Sequence, residues 1–237
     1  MPHWKRILDL TLCVVALPLL AVGTLLMTIV HMFASPGPVF FRQERVGLKG
    51  RTFRIYKFRT MTVGADYGDH QAYLAQLIGS SAPMIKMDSR GDSRLIAGGW
   101  ILRATGLDEL PQLINVLKGE MSLVGPRPCV PYEYEQFLPW QRKRFDATPG
   151  LTGLWQVSGK NRTTFDEMIH LDIKYAETQS LWLDLRIILV TVPALLSQVR
   201  ETRQARRSIA AVSAISARDA TEVLYSEKLT KYNEQAN

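Results

Sequence analysis

The chain has 237 residues, 46% of them hydrophobic, which is enough to bury a core within one main domain. Its 29 Lys and Arg against 22 Asp and Glu leave a formal charge of +7, pointing to polyanionic partners: nucleic acid, an anionic membrane surface or phosphorylated substrates. Cys13 and Cys129 make neither a disulfide framework nor a CxxC spacing and read as free thiols in a reducing compartment, and the four histidines are scattered without an HxxxH pair, so disulfide-stapled and zinc-site classes are excluded.

Residues 7–33, "ILDLTLCVVALPLLAVGTLLMTIVHMF", carry one formal charge, Asp9, and form a membrane segment too long for the apolar stretch of a cleaved signal. Lys5 and Arg6 precede it, and Arg42, Arg45, Lys49, Arg51, Arg54, Lys57 and Arg59 follow, so the positive-inside bias places both flanks on one side. A helix broken at Pro18, with Gly23 adding freedom, meets that condition as a re-entrant hairpin. A single span that tolerates its proline is the other reading these residues leave open.

"SPGPVFFRQERVG" stops this segment and begins a short strand. "GRTFRIYKFRTM" interleaves aromatics with bases, a pattern that suits single-stranded nucleic acid or a phospholipid surface, and the neighbouring membrane segment favours lipid. A helix followed by a polar, Gly-rich excursion fills 62–98. A helix is predicted from about Trp100 to Ala104, another from the acidic pair Asp108–Glu109 to about Lys118, and a charged one over 131–147 interrupted by Pro139. "TPGLTGLWQVSGKNR" reads as an ordered loop or short hairpin, "TTFDE" as an N-cap, "SLWLDLRIILVTVPALLSQV" as an interfacial or packed helix, and 201–237 as a tail.

Adjacent helical residues point about 100° apart, so Asp108 and Glu109 cannot converge on one atom and are expected to do different jobs. An ionised carboxylate held in place can be a nucleophile, and its neighbour can hold a hard cation such as Mg²⁺. Asp, Glu and Pro in a first turn are also what helix capping alone selects. Arg103 before the pair and Arg127 in "VGPRP" after it describe a phosphate-reading setting.

Taken together, "KRILDL", "SPGPVFFRQERVG", "FRIYKFRTM", "DELPQLINVLKGEMSLVGPRP", "PGLTGLWQVSGKNR" and "LDIKYAETQSLWLDLRIILVT" resemble the bacterial monotopic phosphoglycosyl transferases, or polyprenyl-phosphate sugar-1-phosphate transferases, over about residues 4–198. The resemblance implies an α+β, mostly helical fold: a re-entrant N-terminal membrane helix hairpin (1–36), a small cytoplasmic catalytic domain with interfacial amphipathic helices (37–200), and the tail. It implies transfer of a sugar-1-phosphate from a UDP-sugar to undecaprenyl phosphate on the cytoplasmic face of the bacterial inner membrane. UMP is released, and the step opens synthesis of an exopolysaccharide, capsule or O-antigen. In that pattern Asp108 is the nucleophile, Glu109 holds Mg²⁺, and Lys57, Arg59, Arg103 and Arg127 bind substrate.

Downstream glycosyltransferases and a second copy of the chain are candidate partners, and no nucleic acid is expected. Two departures stand out: the family commonly places Ser-Pro a few residues later than Leu17-Pro18, and Cys129 occupies a position expected to be aliphatic, where it reads as a small buried apolar side chain. The rival to catalysis is a basic membrane-anchored scaffold that docks acidic lipid or partner proteins.

Overall fold

A computed structural model describes residues 1–33, 35–64, 82–84, 94–96, 98–159, 162–204 and 207–208. The helix expected early in 62–98 and the tail from 209 onward lie outside these residues.

Helix α1 (His3–Phe33) has 31 residues, about 46 Å at 1.5 Å per residue. Pro18 sits inside it without ending it, and the residues on both sides of it are helical. Proline removes one hydrogen bond and crowds the carbonyl four residues earlier. Packing of Cys13 on one side and Leu20 on the other holds the helix across that defect.

The buried residues of α1 are Lys5, Asp9, Cys13, Leu20, Met27 and His31, which at 100° per residue fall within an arc of roughly 80°. Cys13, Leu20 and Met27 share one apolar cluster with Ile55, Phe58, Leu113, Val116 and Met121 of the rest of the chain. Polar contacts fix both ends. Lys5 Nζ donates to Asp184 Oδ2 at 2.5 Å, Val124 O at 2.8 Å and Tyr175 Oη at 2.9 Å. Asp9 Oδ1 accepts from Ser122 Oγ and Leu123 N, Arg6 donates to Val116 O and Leu117 O, and at the far end His31 Nε2 bonds Arg59 O. Lys5 and Arg6, read from sequence as basic charges flanking a membrane segment, are thus engaged by the protein itself.

After α1 come strands β1 (Phe40–Val46) and β2 (Thr52–Phe58), an antiparallel hairpin in register from Phe40↔Phe58 to Val46↔Thr52. The aromatic-basic stretch is therefore a strand, with Phe53, Ile55 and Lys57 on one face and Arg54, Tyr56 and Phe58 on the other. Gly50, with φ of 77°, closes the turn in a conformation that a side chain disfavours. Helix α2 (Gly99–Thr105) ends at Gly106, with φ of 73°. The acidic pair then lies in a 3-10 turn, Leu107–Gln112, and only at Leu113 does α3 (Leu113–Lys118) begin. This corrects the single helix expected from the pair to Lys118.

Strand β3 (Ser122–Val124) leads into "GPRP". The expected charged helix is α4 (Pro131–Gln136) and a second 3-10 turn, Gln141–Asp146, parted around Pro139. Strand β4 (Gly150–Thr152) pairs parallel to β3 through Ser122↔Gly150 and Val124↔Thr152, so this segment is no hairpin of its own. A parallel partner has to come from far along the chain. Short helix α5 (Leu154–Val157) and α6 (Phe165–Thr178) follow, α6 opened by the expected cap: Thr164 Oγ1 accepts from Glu167 N, and Glu167 Oε2 accepts from Thr164 N. Helix α7 (Leu181–Gln204) completes the order.

Helices α1 and α7 are long and apolar enough to cross a membrane. Their outward faces carry large exposed apolar side chains, among them Val15, Leu25 and Phe33 on α1 and Trp182, Leu189 and Leu196 on α7. Continuous apolar surface of this kind marks contact with lipid or another protein.

Lys5 and Asp184 are 1% and 0% exposed, so removing either leaves the other charge buried and unpaired. Lys5→Met is expected to lower stability by about 3–5 kcal/mol, read as chemical denaturation of the detergent-solubilised chain. The double variant Lys5→Met/Asp184→Leu is expected to regain most of that loss.

Candidate active site

Glu109 is held by two cations from different parts of the chain. Lys57 Nζ, near the end of β2, donates to its Oε1 at 2.7 Å, and Arg127 donates through Nη2 to Oε1 at 3.0 Å and through Nη1 to Oε2 at 3.5 Å. Burial lowers the pKa of Lys57 while Glu109 opposes that shift, and Glu109 raises that of Arg127. Asp108, one residue earlier in the 3-10 turn, is 6% exposed and lines the same cavity. Successive 3-10 residues are about 120° apart, so the two carboxylates still point in different directions.

Arg127 owes its position to the loop that carries it. Gly125 N donates to Thr152 O and Gly150 N to Pro126 O, stitching "GPRP" to "PGLTG". A Cβ on Gly125 would collide with the Thr148 carbonyl, so this approach requires glycine. Behind the loop Arg144 Nη2 donates to Arg127 O at 3.0 Å and to Asp172 Oδ2 at 2.5 Å. Burial pushes the Asp172 carboxyl up to about 6, opposed by Arg144.

Of the six residues singled out from sequence, Lys57, Asp108, Glu109 and Arg127 converge. Arg103, in the last turn of α2, lines the same cavity, and its carbonyl accepts from Gln198 of α7. Arg59 also lines the cavity, with its guanidinium bonded to Pro38 O and to Ser35 Oγ and O, where it fastens the exit from α1 to the end of β2. Sequence reasoning missed Arg144, Asp172 and Asn115. Asn115 takes Tyr56 N on Oδ1 and donates to Arg54 O, joining α3 to β2. No local signal marks these residues, because each acts on a partner remote in sequence.

The cavity has a volume of about 1440 Å³. Its polar wall holds the dyad and cations, while Leu12 and Ala16 of α1 and Ile188 and Val192 of α7 supply apolar wall. Among the described residues no group of three or more His, Cys, Asp and Glu could hold a metal by itself. The donor set fits Mg²⁺ in its usual mode, with one or two carboxylates completed by substrate phosphates and water.

The family model described as bacterial sugar transferase matches residues 2–198. The galactosyl transferase CpsE of Streptococcus agalactiae is 42% identical over 199 residues, covering 81% of this chain and 42% of that protein. A UDP-glucose:undecaprenyl-phosphate glucose-1-phosphate transferase of Caulobacter vibrioides is 42% identical over 201 residues, covering 81% of this chain and 70% of its own length. The undecaprenyl-phosphate galactose phosphotransferase of Salmonella typhimurium is 36% identical over 198 residues, and the chain spans 40% of it.

The two arginine pairs are expected to differ in kind. The Arg144–Asp172 pair is 2% exposed on both sides, so Asp172→Ala should cost about 3–5 kcal/mol in denaturant titration. Arg127 is 32% exposed, and Arg127→Ala should cost about 1 kcal/mol or less in the same measurement.

Proposed function

The chain belongs to the bacterial sugar transferase family, and on that premise we propose that it moves a sugar-1-phosphate from a UDP-sugar to undecaprenyl phosphate, releasing UMP. The observation that carries this reading is one cavity lined both by a cation-clamped carboxylate pair and by the apolar faces of α1 and α7. An acceptor with a phosphate head and a hydrocarbon tail needs both surfaces. The names of relatives from three bacteria, which specify galactosyl transfer, glucose-1-phosphate transfer and galactose phosphotransfer, agree with it.

In the proposed chemistry an Asp108 carboxylate oxygen attacks the β-phosphorus of the UDP-sugar. The bond from that phosphorus to the bridging oxygen breaks, and UMP leaves with the bridging oxygen. A phosphate oxygen of the lipid then attacks the same phosphorus, breaking the bond to Asp108 and regenerating the carboxylate. Lys57, Arg103 and Arg127 neutralise the diphosphate while negative charge shifts to UMP, a task for which fixed cations in a sheltered cavity are effective. Mg²⁺, held by Glu109, would supply further neutralisation of the phosphate oxygens. The product is the first lipid-linked intermediate of a surface polysaccharide.

We also propose that α1 lies re-entrant in the cytoplasmic leaflet of the inner membrane. Its support is that Lys5 and Asp9 at one end and His31 at the other bond the same body. A straight span would carry one end away from the catalytic body.

UDP-glucose or UDP-galactose alone, with Mg²⁺, is expected to release UMP stoichiometric with enzyme before any lipid is added. Asp108→Asn should abolish both the burst and a phosphosugar adduct detectable by mass spectrometry. Full turnover without a burst would replace the covalent route by direct attack of the lipid phosphate. Cysteines placed singly at His3 and Arg51 should both react with an impermeant thiol reagent from the cytoplasmic side, and labelling of the His3 position only from the opposite side would establish a span.

A further inference from the structure

Arg45 lies on β1 two residues beyond Gln43 and four beyond Phe41, whose partner across the hairpin is Lys57. Arg45, Gln43 and Lys57 therefore share one face, and all three line the cavity. Three neighbouring cations of the cavity wall are engaged: Lys57 and Arg127 with Glu109, and Arg59 with Ser35. Among the described residues no carboxylate lies within ion-pairing distance of Arg45. Its Nη2 donates to Gln43 Oε1 at 2.6 Å, its Nη1 makes a long 3.4 Å contact with Pro128 O, and its Nε is shielded from solvent with no partner.

A sheltered guanidinium with spare donors is costly unless an anion meets it. Fastening β1 to the "GPRP" loop does not account for it, because that join is already made by Val46 N donating to Cys129 O at 2.8 Å. Burial, and then the like charge of Arg127, lower the pKa of Arg45, with Glu133 opposing the shift. Glu133, a nearby carboxylate, accepts instead from Val130 N as part of a helix cap. Gln43, by turning its amide oxygen to Arg45, leaves its NH₂ as another donor at the same wall.

We propose that Arg45, with the Gln43 amide beside it, is a further substrate-binding residue that takes a phosphate oxyanion in the cavity next to Arg127. The inference rests on the sugar-phosphate transfer proposed above. A phosphate oxyanion can come from the nucleotide diphosphate or from the lipid phosphate, and a forked guanidinium suits either.

The test uses the full chain in lipid nanodiscs, with UDP as the binding probe in calorimetry and undecaprenyl phosphate as the varied substrate in turnover. Arg45→Gln is expected to weaken UDP binding about 10- to 100-fold, the loss of a charge-assisted bond, with the unfolding midpoint retained. Unchanged UDP binding with a comparable rise in KM for undecaprenyl phosphate at constant kcat would assign the oxyanion to the lipid.

If neither changes, Arg45 is a structural strap and the inference is overturned. Should Arg45→Gln fail to fold, Arg45→Lys decides: the compact ammonium lacks the fork, so weaker binding of either ligand supports the proposal and unchanged binding of both overturns it. Wild-type protein that neither binds UDP nor releases UMP would overturn the sugar-phosphate reading and this inference with it. Wild-type activity matched by both Arg45 variants would overturn this inference alone.

Discussion

Lys5 carries an ammonium group to a place where 1% of the residue meets solvent, and three oxygens from three distant segments meet it there: Val124, Tyr175 and Asp184. That coordination ties α1 to β3, α6 and α7 at once. A charge so placed is costly unless its partners are present, so displacing any one of these segments weakens the coordination that holds the others. Asp9, one turn further along α1, extends the grip to Ser122 and Leu123, the first two residues of β3. Because β3 runs directly into "GPRP", the apolar helix and the loop carrying Arg127 are mechanically joined.

The dyad depends on a second conjunction. Glu109 is reached by a cation from the β1–β2 hairpin and a cation from the loop after β3, elements that share no sheet. The hairpin is pinned by Asn115, which is fully buried and bonds both Tyr56 N and Arg54 O. The loop is pinned from behind by Arg144. On the proposed function an incoming diphosphate meets cations already engaged with Glu109, so binding is an exchange of partners rather than the filling of an empty charge site. Exchange keeps the cations ordered before substrate arrives, which limits the reorganisation needed during reaction.

The chemistry-bearing residues were easier to read from sequence than their setting. An acidic pair beside Pro111 and between Arg103 and Arg127 is a local pattern, as is the capping box that opens α6. The 3-10 turn was not legible, since the left-handed Gly106 ends α2 one residue before Leu107, and composition alone does not separate a tight turn from a helix start. Arg59 shares a motif with Lys57 but bonds Ser35: it stands one residue past the end of β2, where the two-residue alternation that would place it on the face of Lys57 no longer governs it. Lys5 read as a flanking charge because Asp184 stands 179 residues away. The parallel β3–β4 pairing carries no turn signal for the same reason.

The stripe of α1 that faces inward has a practical consequence for anyone shortening the protein. Starting the chain after Phe33 would discard Cys13, Leu20 and Met27, and so uncover Ile55, Phe58, Val116 and Met121 from the cluster they share. Those side chains would form a new apolar surface on the remaining body, and a body with such a surface aggregates. The Asp184 carboxylate would also lose its ammonium partner. A soluble catalytic fragment therefore cannot be made by truncation alone. It needs replacement residues along the bared stripe, chosen to be polar where α1 was apolar and to leave Asp184 either paired or removed.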